Sequence, residues 1–341
     1  MESILVLTHV DESGTALSKA SLEAVTTGKE LSAQIGAQLS IGVIGTASAL
    51  NAVAASGARL LAIEGDTFAQ ARFATDAAAA EALSRAASAT IILAPNSSRI
   101  QRIAAAVARR LGGFIDTHIT ALKGGEAIEA TRWFYRQRVE AVVSRSQRPW
   151  VLLVDAGTQK PFTAEAGSPS VEKIDVAAPQ TRTTVCGFRA PEQGEQTIRP
   201  DAKMLFVAGA GWTKKQADGQ IHVEDAGKSI LRFLGLTKAS LGSSKSLVDQ
   251  GGEGNSVLPF LTHMNQIGQT GATPRHSKGL STCCHGEEPH VVGWRFIGDR
   301  RAISLDPNCG WTRGKADVVY IADAFAVMDK LNALLEAKKQ G

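Results

Sequence analysis

The chain has 341 residues, a length that predicts about two domains, each able to bury its own core. Hydrophobic residues make up 44% and charged residues 21%, and a net charge of +4 with no dense Lys/Arg stripe among aromatics argues against a nucleic-acid partner. No apolar run approaches the roughly 18 residues of a membrane-spanning helix, which argues against membrane insertion. The N-terminus, Met1-Glu2-Ser3-Ile4-Leu5-Val6-Leu7, enters a strand at once without a basic or Arg-rich leader, so the expected location is cytoplasmic. Of the four cysteines two are adjacent, which does not read as a disulfide framework and points to a reducing compartment.

The first 150 residues alternate β-rich runs with alanine-rich stretches, the pattern of a parallel sheet flanked by helices. Strands are predicted at Ile4–Thr8, Leu39–Ile44, Arg59–Ile63 and Thr90–Ala94, and helices at Ser18–Leu31, Ala47–Ala55, Thr67–Ala86 and Arg99–Leu111. Alanine loses almost no side-chain entropy in a helix, and β-branched residues suit a pleated, buried surface. Asn96-Ser97-Ser98-Arg99 joins a strand to a helix and reads either as a cap or as backbone N–H groups that meet an anion. From Phe114 to Val154 the pattern becomes successive strands, Ile115–Ala121, Ala130–Tyr135, Val139–Val143 and Trp150–Leu153, expected to cover or extend the sheet. Residues 156–200, broken by Pro161, Pro169, Pro179, Pro191 and Pro200, read as an extended strap and linker.

A second α/β unit is predicted after Pro200, with strand Lys203–Ala208, the turn Gly209-Ala210-Gly211 and a helix from about Val223 to Leu234. It closes with strand Val318–Ile321 and a helix from about Ala322 to Lys338. The expected fold class is α/β. An N-terminal parallel-sheet domain of nucleotide-binding type spans 1–200, a doubly wound α/β domain spans 201–330, and 331–341 hold the last helix end and a tail.

Between the apolar runs of that second domain lie Gln266-Ile267-Gly268-Gln269-Thr270-Gly271, then Cys283-Cys284-His285-Gly286-Glu287-Glu288-Pro289-His290, then Ile303-Ser304-Leu305-Asp306-Pro307. Glycine, hydroxyl, amide and imidazole groups at apolar strand ends are how an α/β domain builds a pocket for a phosphate-bearing ligand. Taken singly, each motif is an ordinary turn or a satisfied histidine; their joint spacing carries the signal. With Ala316-Asp317-Val318-Val319-Tyr320-Ile321-Ala322-Asp323-Ala324-Phe325 they resemble, in order and without a gap from Gly268 to Pro307, the flavin-binding domain of the electron transfer flavoprotein alpha subunit family. The family has Q-V-G-Q-T-G, G-I-S-G-A-I-Q-H, I-N-K-D-P and A-D-Y-G-I-V-A-D-L-F. Gly242-Ser243-Ser244-Lys245-Ser246-Leu247-Val248-Asp249 is similar to its G-A-S-R-A-A-V-D, and Arg132-Trp133-Phe134-Tyr135-Arg136 more loosely to its R-x-x-Y-G.

The resemblance implies an electron carrier that binds FAD in its second domain and pairs with a beta subunit. It would take electrons from a flavin dehydrogenase and pass them to a quinone oxidoreductase, with no substrate-transforming catalytic residue. It implies Thr270 near the flavin N5, His290 near N1 and O2, and Gln266 and Gln269 at the ring edge or ribityl chain. Gly268, Gly271 and Gly286 would allow close backbone approach, and Asp317 would meet the adenosine end. Departures cluster at the cofactor. Gly211-Trp212 stands where the family has an arginine over the flavin, which implies a lower reduction potential and a tryptophan that stacks on the ring instead. Lys245 replaces a second arginine, His285 a pocket serine and Ser304 an asparagine, while Ser244 and Asp306 keep the family residue. His276–Thr282, where the family has a strand, has poor strand propensity.

Cys283-Cys284-His285 reads as packing beneath the cofactor, as a redox-active thiol, or as part of a metal site, although adjacent cysteines lack the spacing that suits zinc or iron–sulfur ligation. No metal is expected. Two alternatives remain at this point: a relative that binds nucleotide without flavin, and a metal or thiol redox protein using that cluster.

Overall fold

The computed structural model describes all residues except 1, 12, 136–138, 188–197, 200–201, 251–255, 269–272, 283–293, 311 and 341. The chain divides into two units, Met1–Phe188 and Arg189–Gly341.

In the first unit, β1 (Ser3–His9), α1 (Lys19–Ile35), β2 (Gln38–Ile44), a 3-10 stretch (Ala47–Ser56), β3 (Arg59–Ile63), α2 (Asp66–Ala69), α3 (Phe73–Ala86), β4 (Ile91–Pro95) and α4 (Ser98–Arg110) follow in order. Then come β5 (Phe114–Lys123), β6 (Glu129–Phe134), β7 (Val139–Val143), β8 (Trp150–Val154) and β9 (Val171–Lys173). They form a nine-stranded sheet of order β7-β6-β5-β8-β4-β1-β2-β3-β9. It is parallel except at β5–β6 and β6–β7. The central strands are apolar at nearly every position because both faces are covered, one cluster holding Ile4, Val6 and Ile41 and the other Leu5, Leu7 and Ile92. Ser18 caps α1 by accepting from the Ser21 N–H at 3.2 Å, and Gly36 ends it in the left-handed conformation at φ 64°.

The expected helix over 67–86 is broken into α2 and α3, with Gln70 and Arg72 extended. Arg99 explains the break: it donates to the Phe68 carbonyl at 3.1 Å and to the buried Asp76 carboxylate at 2.8 and 2.9 Å, contacts a continuous helix would not present together. The strands after Phe114 extend the sheet: β5 and β8 join it in parallel, and β6 and β7 add an antiparallel flap. The strap also joins it: β9 pairs parallel with β3, and Glu172 forms a bidentate pair with Arg59. A three-residue Val-Glu-Lys strand carries no periodicity from which to be read.

The second unit contains β10 (Met204–Ala208), a 3-10 turn (Ala210–Thr213), α5 (Val223–Thr237), β11 (Ser240–Ser243), α6 (Lys245–Asp249), a turn at His263–Asn265, β12 (His276–Thr282), β13 (Ile297–Ser304), β14 (Val318–Ile321) and α7 (Ala324–Gln340). Its five strands are parallel in the order β11-β10-β12-β13-β14. β11 and β13 are additions to the elements read from sequence. The segment of poor strand propensity, His276–Thr282, is the central strand. Position overrides propensity there. His276 is buried with its Nε2 3.0 Å from both the Arg199 carbonyl and Ser240 Oγ, and Gly279 leaves room for Ile297, whose Cδ1 would lie 2.5 Å from an added Cβ.

Candidate functional site

After β10 the chain crosses to β11 on one side, and β12 returns on the other, so the strand order reverses between β10 and β12. In open parallel sheets ligands bind outside the carboxyl ends of the strands at such a switch point. The residues that end these strands therefore define the candidate site, and the chain builds that rim from small and polar groups.

At the end of β10, the Gly209 N–H donates to the Thr282 carbonyl at 2.9 Å, which ties the turn to the end of β12. Gly211 is buried, and its carbonyl accepts from Gln216 Nε2 at 3.0 Å. Trp212 lies inside the core. Its indole N–H donates to Thr282 Oγ1 at 2.7 Å, its ring meets Phe325 edge-on with centroids 4.6 Å apart, and none of it is exposed. The ring is committed to packing among Phe206, Ala208, Leu247 and Met328 rather than presented as a stacking face.

At the end of β11, buried Ser244 caps α6, accepting from the Leu247 N–H at 3.2 Å, while its own N–H donates to the Ala208 carbonyl at 2.9 Å. Lys245 is exposed and pairs with Asp249, so its charge is balanced one turn away. Gln266 bridges to Ser243 as a short parallel continuation of the sheet. That loop is pinned by Asn265, buried, whose Nδ2 donates to the Leu241 carbonyl at 3.1 Å and whose Oδ1 accepts from the Thr262 N–H at 3.0 Å. Asn265 was not singled out from sequence, yet Thr262-x-x-Asn265 has the spacing of a reciprocal cap. Gly242 lets the loop approach, because an added Cβ would sit 2.3 Å from Ile267 Cδ1. Gly268 turns the chain at φ 77°, a conformation glycine adopts without a Cβ clash, and its N–H donates to Thr273 Oγ1 at 2.8 Å.

At the end of β13, Ser304 is buried and its hydroxyl accepts from the Asp306 N–H at 3.3 Å, while Asp306 accepts from the Asn308 N–H at 2.8 Å in a local turn. The default reading of Asp306 as a turn former is thus its role in the fold. Gln269, Thr270, Gly271, His285, Gly286 and His290, with Cys283 and Cys284, lie outside the described residues. Asp317 is not at this rim. It precedes β14, accepts from the Arg300 N–H at 2.7 Å, and sits four register positions before Ile321, the partner of Ser304. At roughly 3.3 Å per residue that is about 13 Å along the strands.

Two further rim residues escaped the sequence reading. Ser243 Oγ and Ser281 Oγ are buried near the ends of β11 and β12, and neither has a hydrogen-bond partner among the described residues. Buried hydroxyls are normally satisfied, so these two are uncommitted groups next to the switch point. Serines in strands carry no sequence signal that separates them from packing residues.

The first sheet has its own switch point between β1 and β4, where Asn96-Ser97-Ser98-Arg99 lies. There Ser97 precedes α4 without a side-chain cap bond; its Oγ is 2.8 Å from Nε2 of His9, whose burial lowers its pKa, and Arg99 pairs with Asp76. Among the described residues no group of three or more His, Cys, Asp or Glu could hold a metal ion.

Comparison with known proteins decides the family. Residues 6–179 match the electron transfer flavoprotein domain. The chain belongs to the electron transfer flavoprotein family. It is also 26% identical over 269 residues to the electron transfer flavoprotein subunit alpha of Methylophilus methylotrophus, spanning 76% of each chain. Within the family it is therefore a divergent, alpha-like member. No helix among the described residues is long and apolar enough to cross a membrane.

Proposed function

We propose that this chain is the FAD-carrying subunit of a two-subunit electron carrier, paired with a beta-type partner, taking electrons from a flavin dehydrogenase and delivering them to a quinone oxidoreductase. The observation that supports the reading is convergence: Gly211, Ser244, Gln266, Gly268 and Ser304 come from four separate chain segments and share one rim at a topological switch point. The donor chemistry fits a dinucleotide. Glycine backbone, a side-chain amide and the uncommitted hydroxyls of Ser243 and Ser281 are neutral hydrogen-bonding groups suited to a polar, aromatic-ended ligand.

FAD, when bound, supplies one- and two-electron transfer. The chain's own groups bind, orient and exclude water. Gln266 and Gly268 hold the rim on the β11 side and Ser304 on the β13 side. By the family motif, Thr270 and His290 supply the hydrogen bonds to the ring nitrogens, and Gln269, Gly271, His285 and Gly286 complete the enclosure. Trp212 supports this rim from within the core. Lys245 is paired to Asp249 and a tryptophan stands in place of the family arginine, a combination that would favour a low reduction potential for a flavin bound at this rim.

The test is the visible spectrum of the chain copurified with its beta-type partner. Oxidised-flavin bands at one flavin per complex, bleached by dithionite titration, are the expected result. A colourless complex that releases only a nucleotide on denaturation would overturn the reading in favour of a flavin-free relative, and a stoichiometric metal lost in Cys283→Ser would overturn it in favour of a metal centre.

A further inference from the structure

One face of the second sheet holds a cavity of about 610 Å³ that the flavin reading does not use. It opens on the face covered by α5 and α7 and runs from Met204 at the start of β10 to Ile303 and Tyr320 near the ends of β13 and β14. Its origin is an incomplete helical layer. α5 and α7 pack on each other. Among the described residues no third helix lines the β13–β14 side of this face. Tyr320 and Leu334 are accordingly 44% and 60% exposed.

Its apolar lining is Met204, Phe233, Leu280, Ile303, Leu331 and the exposed Leu334. The lining also carries charge, with exposed Lys278, Arg301 and Lys330 against the single carboxylate of Asp299. Asp299 lies 3.5 Å from Arg301, and neither Lys278 nor Lys330 forms an ion pair among the described residues. Three cations against one anion leave two positive charges in excess beside an apolar slot of the size that small-molecule sites occupy, roughly 300–1,000 Å³. Surface apolar area left open in a water-facing slot is unfavourable unless something covers it. The cations say what the head of that occupant carries.

We propose that this cavity binds a single-chain aliphatic carboxylate of medium length, with its tail between α7 and the sheet and its head group at Lys278, Lys330 and Arg301. The tail replaces water against Leu331 and Leu334. The head gains charge-assisted hydrogen bonds from these cations. None of its lining residues is one of the rim residues named above, so its occupancy is expected to leave flavin content unchanged.

Isothermal titration of the full chain with decanoate, 1-decanol and decyltrimethylammonium, each below its micellar concentration, tests this. Decanoate is expected to bind at one per chain, about tenfold more tightly than decyltrimethylammonium, with the alcohol between them. Because both lysines are exposed, the double variant Lys278→Glu/Lys330→Glu is expected to fold normally and to reverse that order. Absence of saturable decanoate binding, equal affinity for all three ligands, or an unchanged order in the double variant would each overturn the proposal. So would decanoate binding that disappears when the beta-type partner is present, which would assign the groove to a protein contact.

Discussion

Replacing Asp116 with alanine is expected to lower the unfolding temperature of the N-terminal unit by on the order of 10 °C while the second unit is unaffected. The carboxylate is 2% exposed and serves three elements at once. Its Oδ1 accepts from Arg132 on β6 at 2.6 Å, and its Oδ2 accepts from Arg145 at 2.5 Å and from the Trp150 indole N–H on β8 at 2.9 Å. Removing one partner of a buried pair leaves the other charges uncompensated and costs about 3–5 kcal/mol. A unit of this size shifts by about 2–4 °C per kcal/mol. Asp116→Asn keeps the shape and loses the charge, so its effect should fall between wild type and alanine.

The same carboxylate predicts an acid dependence. Burial pushes its pKa up, but the hydrogen bonds from Arg145 and Trp150 and the charges of Arg145 and Arg132 outweigh that and leave it below the usual value. A depressed folded-state pKa gives stability that is full above the unfolded value, about 3.9, and is lost as pH falls through the lower folded value. The alanine variant should lack this part of the acid dependence. Hydrogen exchange of β5, β6 and β8 amides, compared with amides of the second unit, separates the two units. Alanine variants whose β5 amides exchange at the wild-type rate would refute the structural role assigned to Asp116.

Much of the first sheet was legible because parallel strands covered on both faces read as uninterrupted apolar runs, as Ile4–Thr8 and Thr90–Ala94 do. The second sheet was half legible. β11 is Ser-Leu-Gly-Ser, and β13 passes through Gly298, Asp299, Arg300 and Arg301 before its apolar end, because one face of β13 lies at the open side of the helical layer. Neither pattern announces a strand. The rim itself was visible as a concentration of glycine, amide and hydroxyl groups around the strand ends. Asp317 shows what a motif omits. The predicted strand began at Val318, so a residue just before it belongs to the entry edge of the sheet, while Ser304 and Asp306 belong to the exit edge. Chain direction in a parallel sheet separates the two, and spacing alone does not. Trp212 illustrates a different limit, since a position in a sequence does not say whether a side chain turns toward a pocket or into the core.

Trp212→Ala is expected to be the most damaging single change in the second unit, with a loss of about 3–5 kcal/mol from truncating a fully buried aromatic side chain. The indole fills the space between β10, α6 and α7, touching the cluster that contains Phe206, Leu247 and Met328, and alanine would leave a cavity the size of its two rings. Trp212→Phe separates packing from hydrogen bonding. It keeps most of the volume and removes the N–H donated to Thr282 Oγ1, but that hydroxyl retains its own bond to the Val207 carbonyl at 3.1 Å, so the cost should be about 1 kcal/mol. Denaturant unfolding of the second unit, alongside flavin content of the complex, distinguishes a core residue from a stacking platform. For a core residue, Trp212→Phe holds flavin as tightly as wild type and Trp212→Ala loses stability and flavin together. A stable Trp212→Ala variant with selectively weakened flavin binding would instead place the indole against the ring and make the replacement of the family arginine a change in how the cofactor is held.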